Sequence, residues 1–156
     1  MPSPLGVTSL LRARLGGTTL GLPASSVREI VRAVAITPLP GAPPIIEGVI
    51  DLRGVLVPVM DARARLQLPA RPLDPEEFMI VLEAGERLVA LRVDEVEELL
   101  DIVADDVRLP AELSPTLRHL AGVVAGPDGI VMVCDVAAFV SQAERDALDA
   151  ALASHA

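Results

Sequence analysis

The sequence has no tryptophan, tyrosine or lysine, and only two phenylalanines, two histidines and one cysteine. Without surface aromatics there is no platform on which successive bases could stack. A net charge of −9 also opposes a polyanion, so nucleic acid is excluded as a partner on both counts. Cys134 sits alone inside an apolar run and reads as a small buried hydrophobe. No disulfide can form within one chain, which suits a reducing cytoplasm. No apolar run approaches the ~20 residues of a membrane span. The opening MPSPLGVTSLL has neither a basic start nor a long apolar stretch, so neither membrane insertion nor export is expected. That all 13 basic residues are arginine is most simply a matter of gene base composition.

Catalytic constellations are missing as well. His119 precedes an apolar strand and His155 lies near the last residue, and neither has cysteine partners at zinc spacing. Ser25, Ser26 and Ser114 stand in no nucleophile elbow. No glycine-rich phosphate loop occurs. Glu97-Glu98 and Asp105-Asp106 read as a solvated acidic face rather than a cation site. The expectation is a protein with no catalytic residue, no metal and no cofactor.

What is present is an aliphatic chain: 51% of 156 residues are apolar, mostly Val, Leu, Ile and Ala, enough for a sizeable core. The strongest stretch is GVIDLRGVLVPVMD, Gly48 to Asp61. It holds two β-branched runs around Arg53-Gly54 and reads as a buried hairpin. Gly54 supplies the positive φ of the turn, and Arg53 is left at the tip with its donors outward. Pro58 cannot donate to a ladder, so its run is expected at a sheet edge or with a bulge. Other strands are expected at Val7–Leu15, Thr18–Leu22, Val27–Val34, Phe78–Ala84, Arg87–Val93, Leu120–Val124 and Ile130–Cys134. Gly16-Gly17, Gly85-Glu86 and Pro127-Asp128-Gly129 are turns. Asp61 and Asp135 cap short helices, and Ser141 with Glu144 forms a capping box for a last helix over 141–153. Pro23 to Ser26 is a single turn, and 105–118 is irregular.

The two halves of the chain match. Gly48–Asp61 aligns with Gly122–Asp135 at an offset of 122 − 48 = 74. Gly16, Leu20, Leu22, Val27 and Glu29 align with Gly85, Val89, Leu91, Val96 and Glu98 at 85 − 16 = 69. A duplication implies two similar small β units in one domain over 1–156, centred on 7–68 and 78–139. Residues 1–72 carry eight arginines and four acids, a balance of +4; residues 73–156 carry five and 18, a balance of −13. Such asymmetry suits oriented docking to other proteins, and equally two solvated faces. At the position of Arg53 the second copy has Pro127. The turn therefore does not need the arginine, which points to a role for Arg53 outside the fold.

The stretch IEGVIDLRGVLVPVMDARARL, residues 46–66, resembles the G-V-x-N-L-R-G-x-x-V-P-h-h-D-L-R signature (h, apolar) of CheW-type chemotaxis coupling proteins. Val27, Glu29 and Ile30 after Gly21-Leu22, and the run Gly85 to Asp94, also fit that family. The resemblance implies an all-β fold with short helices: two five-stranded SH3-like β-barrel subdomains over a shared aliphatic core, and a C-terminal helix. It implies a non-enzymatic adaptor, cytoplasmic and at membrane-associated receptor arrays. Its partners would be the regulatory domain of a CheA-type histidine kinase and the cytoplasmic tip of a chemoreceptor. Val27, Glu29, Gly48 and Arg53 are the partner-binding candidates by resemblance. Asp51 stands where Asn is usual, Ala62 where Leu is, Glu95 where Gly is common and Leu20 where an aromatic is usual. Alternatives are an adaptor of a non-chemotaxis array, or a small-ligand sensor using aliphatic space between the barrels.

Overall fold

A computed structural model describes residues 7–108, 120–135, 137, 140 and 142–154. The described strands are β1 (Val7–Leu15), β2 (Thr18–Pro23), β3 (Val27–Arg32), β4 (Ile46–Leu52), β5 (Val55–Met60), β6 (Phe78–Ala84), β7 (Arg87–Val93), β8 (Glu95–Val103), β9 (Leu120–Gly126) and β10 (Gly129–Cys134). Helix α1 is Ala62–Arg65 and α2 is Gln142–Ser154. Asp61 caps α1 as expected, accepting from Ala64 N–H at 3.1 Å. The helix expected after Asp135, and Ser141 of the expected capping box, lie outside the described residues. Among the described residues no helix is long and apolar enough to cross a membrane.

The strands form two five-stranded sheets, ordered β8-β1-β2-β10-β9 and β3-β6-β7-β5-β4. The two orders are the same pattern once β1–β5 are matched to β6–β10. Registers match too: Val81 opposite Ala90 corresponds to Arg12 opposite Gly21, and Ile30 opposite Ile80 to Leu99 opposite Leu11. Each sheet, however, takes strands from both repeats. The β1–β2 hairpin joins β8–β10, and the β6–β7 hairpin joins β3–β5. The division at 7–68 and 78–139 is therefore not how the sheets are shared out. A local repeat pattern does not say whether a hairpin pairs within its own copy or with the other.

Among the described residues the strand ladders are open five-stranded sheets. An isolated bridge reaches the far edge of each: Thr37, beyond β3, meets Val49 of β4, and Arg108, beyond β8, meets Val123 of β9. Both bridges are double, with N···O distances of 2.8–2.9 Å. The bridges account for the two glycines that anchor the repeat. A Cβ on Gly48 would lie 2.2 Å from the Thr37 carbonyl oxygen, and one on Gly122 2.5 Å from that of Arg108. Only glycine admits the crossing strand so closely.

Pro58 is not at an edge, since β5 lies between β7 and β4. Val49, its antiparallel partner, exchanges both backbone bonds with Thr37 instead. Pro58 thus faces a pair that requires no donor, and the parallel ladder to β7 starts only at Val59. The bulge sits on the partner strand, between Ile46 and Gly48.

Strand residues alternate between cores. Leu11, Leu15, Leu20, Leu22, Ile80, Leu82 and Leu91 form a shared core with Leu148 of α2. On the opposite faces, Ile50, Val57, Val59, Met79, Val81 and Ala90 fill one sheet, and Leu10, Ile102, Val124, Val131 and Val133 the other. Burial on both faces explains why FMIVL reads as a continuous apolar run rather than an alternating one.

Candidate functional site

The β4–β5 turn carries Arg53, the central candidate residue. Arg53 has φ +53° and Gly54 φ +86°, so both central residues are left-handed, as a type I′ turn demands. Arginine adopts that region at a cost that glycine or asparagine avoids. Asp51 steadies the turn: its Oδ1 accepts the Gly54 N–H at 2.7 Å. An asparagine oxygen can make the same bond, so the acid in place of the amide of the signature it resembles leaves the turn chemistry intact.

Arg53 reaches to β3. Its Nη1 donates to Glu29 Oε1 at 2.9 Å and Nη2 to Oε2 at 2.5 Å, a two-pronged fork. The hydrogen bond from Arg53 holds the Glu29 carboxyl below its ordinary range, and the same bond raises Arg53. The Arg53 side chain is still 73% exposed and that of Glu29 29%. Beneath the fork is a cleft of ≈ 400 Å³ walled by Leu52, Val55, Val81 and Leu88, with Arg28 at its margin. Arg28 is paired with Glu83 at 3.0 Å.

Two of the four candidate residues, Glu29 and Arg53, thus meet. Gly48 is buried beneath the Thr37 crossing, and half-buried Val27 packs on the shared core opposite Leu82. The cleft walls escaped sequence reading. Their meeting depends on tertiary packing, and the 51% exposure of Val55 is itself a property of the folded hairpin.

Between the sheets the open space is polar. A cleft of ≈ 620 Å³ is lined by Arg14, Arg32, Arg71, Glu76, Asp94 and Glu95, among others. The apolar volume expected there for a small ligand is occupied by the shared core. Asp94, after β7, accepts from Gly16 N–H of the β1–β2 turn at 2.7 Å, and both its oxygens lie 2.8 Å from Arg63 Nη2. Arg71 adds a second cation at 3.3 Å. Burial pushes the Asp94 carboxyl up, but the Gly16 and Arg63 hydrogen bonds outweigh it, so the net shift is downward. This node ties one sheet to the other. Arg65 clamps Glu144 at 2.7 Å and Arg87 pairs with Asp149, which fixes α2. Cys134 is buried, and burial drives its thiol up, away from the reactive thiolate.

Two interleaved β-sheets, with an exposed Arg–Glu fork beside a cleft, define a small two-sheet β protein. The chain belongs to the CheW-like domain family, whose model matches residues 9–144. It is 31% identical to the chemotaxis protein CheW of Klebsiella aerogenes over 143 residues, 90% of this chain and 86% of that one. Protein FrzA of Myxococcus xanthus is 35% identical over 71% of this chain and 70% of its own. The crystal structure of the scaffolding protein TtCheW from Thermoanaerobacter tengcongensis is similar with a TM-score of 0.78 and 25% identity, covering 92% of this chain and 96% of that one.

Proposed function

We propose that this chain is a non-enzymatic adaptor that couples chemoreceptors to a CheA-type histidine kinase, in the cytoplasm at membrane-associated arrays. Family membership supports the adaptor role. The single observation that carries the site is the Arg53–Glu29 fork, held on a turn whose backbone arginine does not favour. Strain kept at an exposed position argues for a use outside the fold. Arg53 and Glu29 make the direct contact with the kinase regulatory domain or the receptor tip. Gly48 and Val27 act through the hairpin and β3 that carry the fork. Each sheet, with its single bridge, functions as one SH3-like barrel, and the receptor tip lies against the seam between them. Binding both partners at once raises their effective concentration and sets their geometry.

The test is calorimetric titration of the protein against the kinase regulatory domain and a receptor-tip fragment from the same genome, wild type beside Arg53→Ala. Loss of about tenfold or more in affinity for at least one partner is expected. Unchanged affinity for both would remove Arg53 from the site. A second reading, an adaptor of a non-chemotaxis array, is favoured by the likeness to FrzA and to PilI of Pseudomonas aeruginosa, the latter 34% identical over 53% of this chain and 47% of its own. Identifying which kinase co-purifies with the chain in its own cell decides between them.

A further inference from the structure

The internal repeat allows the cleft beside Arg53 to be compared with its own counterpart. At the offsets of 69 and 74, Arg53, Val55, Val81 and Leu88 correspond to Pro127, Gly129, Arg12 and Thr19. Those four residues do line a second cleft, at the β9–β10 turn of the other sheet. The first encloses ≈ 400 Å³ and the second ≈ 20 Å³.

Arg12 makes the difference. It occupies the inward-facing strand position that Val81 holds in the other sheet, opposite Gly21 as Val81 is opposite Ala90. Its Nε donates to the Glu98 carbonyl at 3.0 Å, and its Nη1 lies 3.7 Å from Asp128. Only 12% of the side chain is exposed, so the guanidinium and its stem fill the space. Val81 is shorter and fully buried, and leaves its cleft open.

We propose that the cleft beside Arg53 receives an apolar side chain from an acidic segment of a partner protein, and that Arg12 keeps the equivalent cleft closed, so that one end of the molecule docks this segment rather than both. The inference rests on the adaptor reading above. The apolar half follows from the walls, Leu52, Val55, Val81 and Leu88. The acidic half follows from Arg53, which spends two of its N–H donors on Glu29 and keeps three for a carboxylate acceptor beside the anchor.

The test is a methyl-labelled NMR titration of the intact protein, with the kinase regulatory domain and the receptor-tip fragment as separate probes. At least one probe is expected to shift the Leu52, Val55 and Leu88 methyls and to leave Val131, in the closed cleft, unmoved. Leu88→Thr, which installs the counterpart's residue, is expected to weaken that probe about tenfold. The variant Arg12→Val/Thr19→Leu/Pro127→Arg/Gly129→Val, which installs the first cleft's residues, is expected to open the second cleft and bring the Val131 methyls into the responding set, and the same variant with Arg12 kept is expected to leave them silent. Binding that leaves the Leu52, Val55 and Leu88 methyls unmoved overturns the inference and leaves the adaptor reading standing. A Val131 that responds equally with and without Arg12, or in neither folded variant, overturns the part given to Arg12. Absence of binding to either probe overturns the adaptor reading, and the inference with it.

Discussion

Gly48→Ala separates a folding role from a contact role at a residue whose family resemblance suggested partner binding. The added methyl would lie 2.2 Å from the Thr37 carbonyl oxygen, 2.7 Å from Ile36 Cγ2 and 2.8 Å from the Thr37 carbonyl carbon. The first and last are backbone atoms, so rotating a side chain away does not relieve them. The backbone at Gly48 also has φ +154°, which an L side chain rarely adopts. Relief requires moving the 36–37 segment off β4, which breaks both bonds of the Thr37–Val49 bridge, at 2.8 and 2.9 Å. Two backbone hydrogen bonds contribute about 0.5–1.5 kcal/mol each. The unfavourable φ adds about 1–3 kcal/mol. A loss of about 2–6 kcal/mol is therefore expected. For a chain of this size that lowers Tm by about 4–24 °C. Gly54→Ala is the control: it has φ +86° but nothing within 4 Å of the new methyl. It should lose only the conformational part, about 1–3 kcal/mol. Urea denaturation followed by far-UV circular dichroism measures both. A Gly48→Ala loss no larger than that of Gly54→Ala would refute the steric argument and return Gly48 to the list of contact residues.

Arg53→Gly should hold or slightly raise stability in the same assay, because glycine accepts φ +53° freely, while partner affinity falls. A variant that unfolds would show that the fork with Glu29 is structural. Asp94→Asn should cost about 1.5–3 kcal/mol at pH 7, through lost charge-assisted bonds to Arg63 and Gly16. Because the folded Asp94 carboxyl lies below its ordinary 3.8, its contribution is complete above that value and disappears as pH falls through the folded pKa. The gap between wild type and Asp94→Asn should therefore close in acid, and denaturation curves at pH 7 and pH 3 check it. Cys134 should resist a thiol reagent in the native protein and react once the chain is unfolded in denaturant; rapid native labelling would contradict its burial.

Nine of the ten described strands, the tight turns, the Asp61 cap and the repeat itself were legible in the sequence, because each rests on residues close together along the chain; β8 was not, since its run of acids hides its apolar residues. β-branched runs bounded by glycine and proline choose extended backbone locally. An Asp before Ala62 caps the helix with its own oxygen. The candidate Arg53 emerged from the sequence too, as a residue that the matching turn manages without. Which hairpin joins which sheet was not legible, since β1–β2 can satisfy its ladder with either copy and the choice depends on packing over the shared core. The meeting of Arg53 with Glu29 spans 24 residues and needs β3 and the β4–β5 hairpin to be brought together across the sheet, which spacing does not reveal. Gly48 was a contact candidate by family resemblance alone. Only the crossing strand above it exposes the steric reason for glycine. The open and filled clefts differ at four corresponding positions, and of these Arg12 against Val81 is the one whose side chain fills the space. Their equivalence becomes visible once the ladders are in register, because cavity volume belongs to the tertiary arrangement and not to any local stretch.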